Sequence, residues 1–280
     1  MEDVEVEQRL KVSYQVQKWL TTEQIEKIEY SEYWNDEDKE KGKAWYILDD
    51  NFEKMERHLK KCKLIEQIKN VLLAKPLHGV GADLASGNAW AAYYLLKSGK
   101  VDMIYCVEYS QHRLLKLGPK VLKHYNVPEE KVVLCLGSFY ELELPDNFLD
   151  FVFLSEAFHH ADKPDALLDE VRRVLKPKGI VFVIGENIVP VYKLVGAYPK
   201  YLVKSLISHL FPNYVKARSS RGKLGSNSRK LFTNLGDVIP PDPVLGDHHY
   251  SIGDYQDIFS RHGFSVHCMK PAGAFILTRD

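Results

Sequence analysis

From about residue 77 the chain alternates short apolar runs with amphipathic stretches, the pattern of strands and helices in turn. Several runs are apolar at consecutive positions, as expected for strands of a parallel sheet that helices cover on both faces. The predicted strands are 78–84, 103–108, 132–136, 151–155 and 180–185. The predicted helices between them are 89–97, 111–125 and 164–175. The pattern therefore predicts an α/β fold with a doubly wound sheet.

The C-terminal segment predicts a helix and a hairpin. Apolar positions at helical spacing indicate a last helix over 255–262, which Gly263 ends as a C-cap glycine. Two strands, 264–269 and 274–278, follow it and are joined by a turn that contains Pro271 and Gly273. We expect this hairpin to close the sheet with antiparallel pairing.

Two regions depart from the alternation. Residues 1–75 are polar with apolar positions at helical spacing, which predicts two or three helices that form an N-terminal cover. We expect residues 76–280 to form the main domain, with a helical and loop insertion at about 187–250 that includes a helix over 191–210. Residues 216–230 carry six positive charges and no negative one, which fits either a clamp for a phosphate-bearing ligand or a solvated loop.

Composition narrows the classes of function. Thirty-eight basic residues balance thirty-eight acidic ones, so no global field favours nucleic acid or an anionic membrane. The four cysteines contain no Cys-x-x-Cys pair, and no segment approaches the roughly 20 apolar residues of a membrane helix. We therefore expect a cytoplasmic protein that has no membrane partner and does not favour nucleic acid as a partner. The N-terminal helices leave open whether the chain forms a homodimer.

Candidate chemistry begins where the first predicted strand ends, in the small-residue segment 85–89. A tight turn that leads into a helix brings backbone N–H groups close to a ligand, and small side chains leave the space for it. Glu108 ends the next strand about 20 residues later, where a carboxylate can accept hydrogen bonds from both ribose hydroxyls of a nucleotide. An alternative register, Gly79-Val80-Gly81, begins a dinucleotide fingerprint but has Leu84 at its sixth position.

The segment from Asp83 to Ala89 resembles the glycine-rich loop of class I, Rossmann-like methyltransferases that use S-adenosylmethionine, with alanines at the first and third glycines. The approach to the fourth strand (144–152) and the segment that ends at Gly179 are also similar to this family. The resemblance covers about residues 77–186 and the closing hairpin. It implies a seven-stranded, mostly parallel sheet with an antiparallel C-terminal hairpin strand.

The resemblance also implies site residues and a reaction. Residues expected to contact the S-adenosylmethionine cofactor are Asp83, Ala85, Ser86, Gly87, Glu108, Tyr109, Ser138, Phe139 and Ser155. A histidine titrates near neutral pH and is a natural base, so His160 is the first candidate catalytic residue and His159 the second, with no metal expected.

The predicted reaction is transfer of a methyl group to an oxygen or nitrogen atom of a small metabolite. A sugar or a nucleotide-linked sugar is the acceptor that the basic segment 216–230 favours. The altered loop leaves an alternative, a noncatalytic cofactor-binding homologue with a scaffolding or regulatory role.

Overall fold

A computed structural model describes residues 14–28, 30–47, 51–190 and 241–280. Its strands are β1 (Gln15–Lys18), β2 (His78–Leu84), β3 (Lys100–Glu108), β4 (Val132–Leu136), β5 (Leu149–Ser155), β6 (Leu175–Ile184), β7 (Phe264–Met269) and β8 (Ala274–Arg279). They form one eight-stranded sheet in the order β1-β4-β3-β2-β5-β6-β8-β7. Strands β1 to β6 pair in parallel, whereas β8 pairs antiparallel with both β6 and β7. The mostly parallel sheet and its antiparallel closing hairpin confirm the predicted fold class.

Helices cover both faces of this sheet. The helices are α1 (Thr22–Glu26), α2 (Ser31–Trp34), α3 (Glu37–Lys41), α4 (Phe52–Lys61), α5 (Leu64–Ala74), α6 (Ala91–Lys97), a π-helix (His112–Leu117) that continues into α7 (Gly118–His124), α8 (Pro164–Val174) and α9 (Ile252–Arg261). Short 3₁₀ turns span Glu129–Lys131 and Phe158–His160. The apolar faces of α5, α6 and α7 are buried against one side of the sheet, and those of α8 and α9 against the other. Side chains of one strand alternate between the two cores, as the two-residue period of a strand requires.

The N-terminal segment contains a strand where the sequence predicted a helix. Residues 15–18 pair with the outer edge of β4, so the sheet has eight strands instead of the expected seven. Two buried aromatic residues flank the strand: Tyr14 donates its hydroxyl hydrogen bond to the carbonyl of Val127 at 2.7 Å, and Trp19 packs over Gly137. These anchors hold the backbone against the open edge of β4, whose unpaired groups β1 satisfies. The helical spacing of apolar positions in residues 1–75 thus gives a wrong prediction for this segment.

The predicted insertion is described only at its ends. The helix expected over 191–210 and the basic segment 216–230 lie outside the described residues. The described chain resumes at residue 241 and passes the segment that follows β5, where the His248 N–H donates to the carbonyl of His159 at 2.7 Å. Within the described ranges, none of the helices is long and apolar enough to cross a lipid bilayer.

Candidate functional site

The loop after β2 has three residues in the left-handed region, with φ values of 54° at Ala85, 56° at Gly87 and 59° at Ala89. An L-residue other than glycine costs about 1–2 kcal/mol in this conformation, so the two alanines are strained. A Cβ atom on Gly87 would meet nothing nearer than the Arg113 guanidinium at 4.0 Å. Glycine is therefore favoured at this position by the backbone conformation and not by a lack of space. The loop keeps the turn that glycine favours although alanine occupies two of its positions.

The carboxylate of Glu108 is fixed at the C-terminal end of β3. Its Oε2 accepts a hydrogen bond from the Gly87 N–H at 2.9 Å, and its Oε1 accepts from the N–H groups of Tyr109 and Ser110, also at 2.9 Å. Hydrogen bonds to an ionised carboxylate are shorter and stronger than those between neutral groups. Three backbone donors thus hold this side chain at the mouth of the loop, and Oε2, which accepts only one of them, keeps a lone pair for a further donor.

Buried polar atoms collect around the same loop. Asp83 Oδ2, Ser86 Oγ and Ser155 Oγ are shielded from solvent and have no hydrogen-bond partner among the described residues. Burial, and then the nearby charge of Glu108, raise the pKa of Asp83 well above its ordinary value. A buried polar group without a partner is costly, so these atoms mark a place where a polar ligand can satisfy them.

Two adjoining cavities of about 440 and 270 Å³ form one cleft above the carboxyl ends of the strands. Both are lined by Trp34, Ala85, Arg113, Glu156, His160 and Leu245. The larger cavity is also bordered by the predicted residues Glu108, Tyr109, Ser138 and Phe139. The smaller one is bordered by Ser86, Gly87, Ser155 and His159. Of the predicted site residues, Asp83 alone lines neither cavity; it lies buried beneath the loop.

Residues of the N-terminal helices line this cleft, and a buried ion-pair cluster joins the segment from α1 to α3, here named the cover, to the π-helix. The side chain of Glu40 in α3 is fully buried. Its carboxylate forms an ion pair with the Arg113 guanidinium and lies 2.6 Å from Nε2 of His112. Burial opposes ionisation of Glu40, but hydrogen bonds from His112 and Arg113 lower its pKa overall. The Arg113 guanidinium also lies 4.5 Å from the ring centre of Trp34, a cation–π distance. These contacts place Trp34 at the boundary of the two cavities.

The two candidate bases have different surroundings. His159 is buried, and its Nδ1 lies 2.9 Å from Oε2 of Glu186. The same carboxylate accepts hydrogen bonds from the N–H groups of Ala157, Phe158 and His159, and from the Tyr255 hydroxyl at 2.9 Å. Burial disfavours a charged His159, but Glu186 more than offsets this and raises the pKa of the imidazole. His159 is thus held in place by a buried carboxylate close to the end of β6.

His160 instead faces the cleft, with about a quarter of its side chain exposed. Its Nδ1 lies 3.0 Å from Oδ1 of Asp247, close enough for an ion pair although the two atoms are not aligned for a hydrogen bond. Its ring meets the ring of Trp34 edge-on at 5.3 Å. Charge–charge contact with His160 is one reason that the pKa of Asp247 is lowered in spite of its burial. His160 therefore has the exposure and the carboxylate partner of a group that can take a proton.

Several site residues were missed by sequence reasoning. Asp247 comes from the far end of the insertion, Arg113 from the π-helix, and His58 from α4. The His58 and Cys62 pair carried one usable signal, because residues four apart share a helix face. Among the described residues, two groups have the donor atoms and spacing to hold a metal ion: His58 with Cys62 and Glu156, and His159 with His160 and Asp247.

Comparison with known proteins shows that part of the sequence is similar to methyltransferases. The model of a methyltransferase domain family matches residues 82–183. An uncharacterized methyltransferase of Schizosaccharomyces pombe is 40% identical over 78 residues, which are 27% of this chain. The matched segment spans only 28% of the length of that relative.

Two solved structures share the fold. The YcgJ protein of Bacillus subtilis superposes with a TM-score of 0.50 at 15% identity, over 74% of this chain and 71% of the other. A protein of Methanococcus maripaludis, described as an S-adenosyl-L-methionine-dependent methyltransferase, gives a TM-score of 0.50 at 12% identity, over 84% and 95% of the two chains. At these identities the likeness concerns the fold.

Proposed function

Residues 82–183 form a class I methyltransferase domain, and from this premise we propose that the protein transfers the methyl group of S-adenosylmethionine to an oxygen or nitrogen atom of a small acceptor. One observation carries the proposal: Ala85 of the cofactor loop and His160 border the same two cavities. The group that binds the donor and the group that can accept a proton therefore face a common space. Such proximity is what an in-line transfer between two bound molecules needs.

The residues around the loop fit the cofactor that the family uses. Glu108 would bind the ribose through the free lone pair of its Oε2, because three N–H donors already fix the carboxylate at the cleft. Tyr109, Ser138 and Phe139, along the larger cavity, would border the adenine. The unpaired hydroxyls of Ser86 and Ser155 lie at the smaller cavity, where the charged amino acid end can satisfy them. S-adenosylmethionine supplies a methyl group made electrophilic by its sulfonium.

His160 is the proposed base for the acceptor. Its exposure and its approach to Asp247 allow it to receive a proton from an O–H or N–H group, and Asp247 stabilises the imidazolium that results. We assign His159 a positioning role, because its Nδ1 faces the buried Glu186. The backbone N–H groups of residues 157–159 donate to the same carboxylate, so Glu186 fixes the backbone just before His160.

The noncatalytic alternative rests on the two alanines of the loop. Against it, Ala85 and Ala89 adopt the φ values for which glycine is favoured, and Ala85 still lines both open cavities. A scaffold would also not require a partly exposed histidine beside a carboxylate in the same cleft. Both features favour turnover.

The chemical class of the acceptor is a separate proposal. A nucleotide-linked sugar follows from the six positive charges of residues 216–230, which lie outside the described residues. Replacing those six residues by glutamine is expected to abolish any thermal stabilisation by nucleotide sugars, while stabilisation by S-adenosylmethionine persists. If no nucleotide sugar shifts the melting temperature of the native chain, a sugar with no phosphate or another small metabolite is the acceptor to pursue.

Calorimetry with S-adenosylmethionine and the Glu108→Gln variant tests the cofactor site. An amide at this position turns one acceptor oxygen into a donor that faces backbone N–H groups, so we expect about 10- to 100-fold weaker binding. Glu66→Gln, an exposed change on α5 away from both cavities, is the matched control and is expected to bind as the native protein does. Absence of binding at millimolar S-adenosylmethionine would contradict the proposed function.

Turnover is tested with methyl-labelled S-adenosylmethionine and a panel of hydroxyl- and amine-bearing metabolites. Formation of S-adenosylhomocysteine together with a labelled acceptor is the expected result. Tight cofactor binding without transfer to any acceptor of the panel would favour the noncatalytic alternative.

A further inference from the structure

Three side chains with metal-binding atoms meet at one wall of the smaller cavity. His58 lies in the last turn of α4, Cys62 caps that helix, and Glu156 follows β5. His58 Nε2 lies 3.7 Å from Glu156 Oε2 and 3.7 Å from Cys62 Sγ, and the ligand atoms of all three residues lie within 4.8 Å of one another. His58 and Glu156 both line the cavity.

The two separations from His58, to Glu156 and to Cys62, match those of atoms that share a metal ion. Ligands at the usual 2.0–2.3 Å from a tetrahedral zinc ion lie about 3.3–3.8 Å from each other. The 3.7 Å between His58 and Glu156 is longer than the 2.7–3.2 Å of an ordinary N–H···O hydrogen bond, so the two groups converge without bonding directly. A small cation between them would bring each donor atom to its normal bonding distance.

The surroundings hold two of these side chains in place. The Trp45 ring meets His58 edge-on at 5.7 Å. Glu156 has a φ of 49°, and its N–H donates to the carbonyl of Ile184 at 2.9 Å. A Cβ atom on the neighbouring Gly185 would lie 2.6 Å from Glu156 Cγ, so glycine there leaves room for the carboxylate. A strained residue that persists at a cleft is a mark of functional positioning.

We infer that His58, Cys62 and Glu156 bind a divalent cation of the zinc type and leave its fourth coordination position open to the smaller cavity. Nitrogen, sulfur and oxygen donors together suit zinc, and three protein ligands with an open position are typical of a zinc ion that binds substrate. This departs from the sequence-based expectation of no metal. The group of His159, His160 and Asp247 is the competing position, but Nδ1 of His159 already lies 2.9 Å from the carboxylate of Glu186, which is outside the group.

The open position gives the ion a role that rests on the proposed methyl transfer. His160 borders the same cavity, so an acceptor hydroxyl or amine bound to the ion would share that cavity with the proposed base. Binding of the ion itself does not depend on that role. It is measured without S-adenosylmethionine, so the two proposals can fail separately.

The test begins with full-length protein freed of metal by a chelator and titrated with Co²⁺ or Zn²⁺. We expect about one ion per chain and a near-ultraviolet absorption band from a cobalt–thiolate bond. Cys62→Ser is expected to abolish the band and weaken Zn²⁺ binding by at least about tenfold. Cys268→Ser is the matched control, because both thiols are partly exposed, and it is expected to keep the band.

Two further variants separate the positions and guard against misfolding. His58→Gln is expected to keep the thiolate band but weaken Zn²⁺ binding, provided that circular dichroism and the melting temperature show a folded protein. Asp247→Asn is expected to leave both measurements unchanged. Absence of a thiolate band in the native chain, or loss of Zn²⁺ binding in Asp247→Asn but not in Cys62→Ser, would overturn the inference.

Discussion

The two halves of the cleft are built in different ways. The half proposed to bind the cofactor, here the cofactor half, consists of chain segments that directly follow β2, β3 and β4, and hydrogen bonds from backbone N–H groups, such as Gly87 N–H to Glu108, hold it together. The acceptor half is assembled from side chains far apart in sequence, as in the approach of His160 to Asp247. The first half depends on the sheet, and the second depends on how α4 and the end of the insertion pack on it. Substitutions should therefore affect the two halves separately.

The largest expected effect is on turnover, from His160→Gln. Loss of a general base typically lowers a rate by about 10²- to 10⁴-fold, whereas S-adenosylmethionine affinity should stay close to native because the cofactor half is untouched. Initial rates with the identified acceptor, and calorimetry with the cofactor, measure the two quantities. In His159→Gln, used for comparison, the pH profile of the rate should keep the native shape. An unchanged rate in His160→Gln would remove the base from the mechanism.

The next effect is on stability, from Glu186→Ala. This carboxylate is fully buried against His159 and accepts further hydrogen bonds, so its removal is expected to cost about 3–5 kcal/mol of unfolding free energy. Glu186→Gln, which keeps the volume but not the charge, should lose less. Chemical denaturation followed by circular dichroism gives both values. Equal losses in the two variants would mean that the charge of Glu186, and not the packing of its side chain, matters here.

The same pair predicts a pH dependence of stability. The pKa of Glu186 is lowered on folding, chiefly through His159 and in spite of burial, so its contribution is present above the ordinary value of 4.5 and is lost as pH falls through the folded pKa. The pKa of His159 is raised, so its contribution is complete below 6.5 and is lost as pH rises through the folded pKa. The stability difference between native protein and Glu186→Gln should therefore be greatest between 4.5 and 6.5. A difference that grows continuously to pH 9 would contradict the assignment.

A smaller effect is expected at the cover, from Glu40→Gln. The amide keeps the shape but leaves the partly buried Arg113 without its anion, which should cost about 1.5–3 kcal/mol. Glu37→Gln, on the same helix but in a partly exposed pair with Lys116, should cost less than about 1 kcal/mol. Thermal unfolding compares the two. Equal melting temperatures would show that the buried cluster does not hold the cover in place.

The smallest effect concerns the unusual loop, and here stability should rise. Ala85→Gly relieves a left-handed alanine but makes the unfolded chain more flexible, so we expect a net gain of about 1 kcal/mol or less. Ala92→Gly, in the regular helix α6, should instead lose about 1 kcal/mol or more. Denaturation midpoints decide the sign. A loss in Ala85→Gly would mean that its methyl group packs usefully against the cleft.

The sequence predicted the cofactor half better than the acceptor half, for a physical reason. Glu108 and the loop at 85–89 follow strands whose apolar patterns are strong, and the ends of parallel strands meet at one edge. Asp247 comes to the site only through packing at the far end of the insertion, which no local pattern encodes. The sequence does not predict the strand at residues 15–18, because an exposed edge strand has little apolar alternation. Its hydrogen-bond partner β4 also lies more than a hundred residues away along the chain.

The edge strand β1 has a kinetic consequence for the cleft. The N–H groups of Trp19 and Leu20 both donate to the carbonyl of Leu136, the residue before the loop that carries Ser138 and Phe139. The cover is thus tethered at one end to the wall of the larger cavity, and at the other end its chain continues into α4. Any wider opening of the cleft would therefore require the segment between these two attachments to bend outward, because a segment attached at both ends cannot swing about a single hinge. The rate of such an opening should be limited by the loss of the contacts that α2 and α3 make with Arg113, and not by the separation of β1 from the sheet.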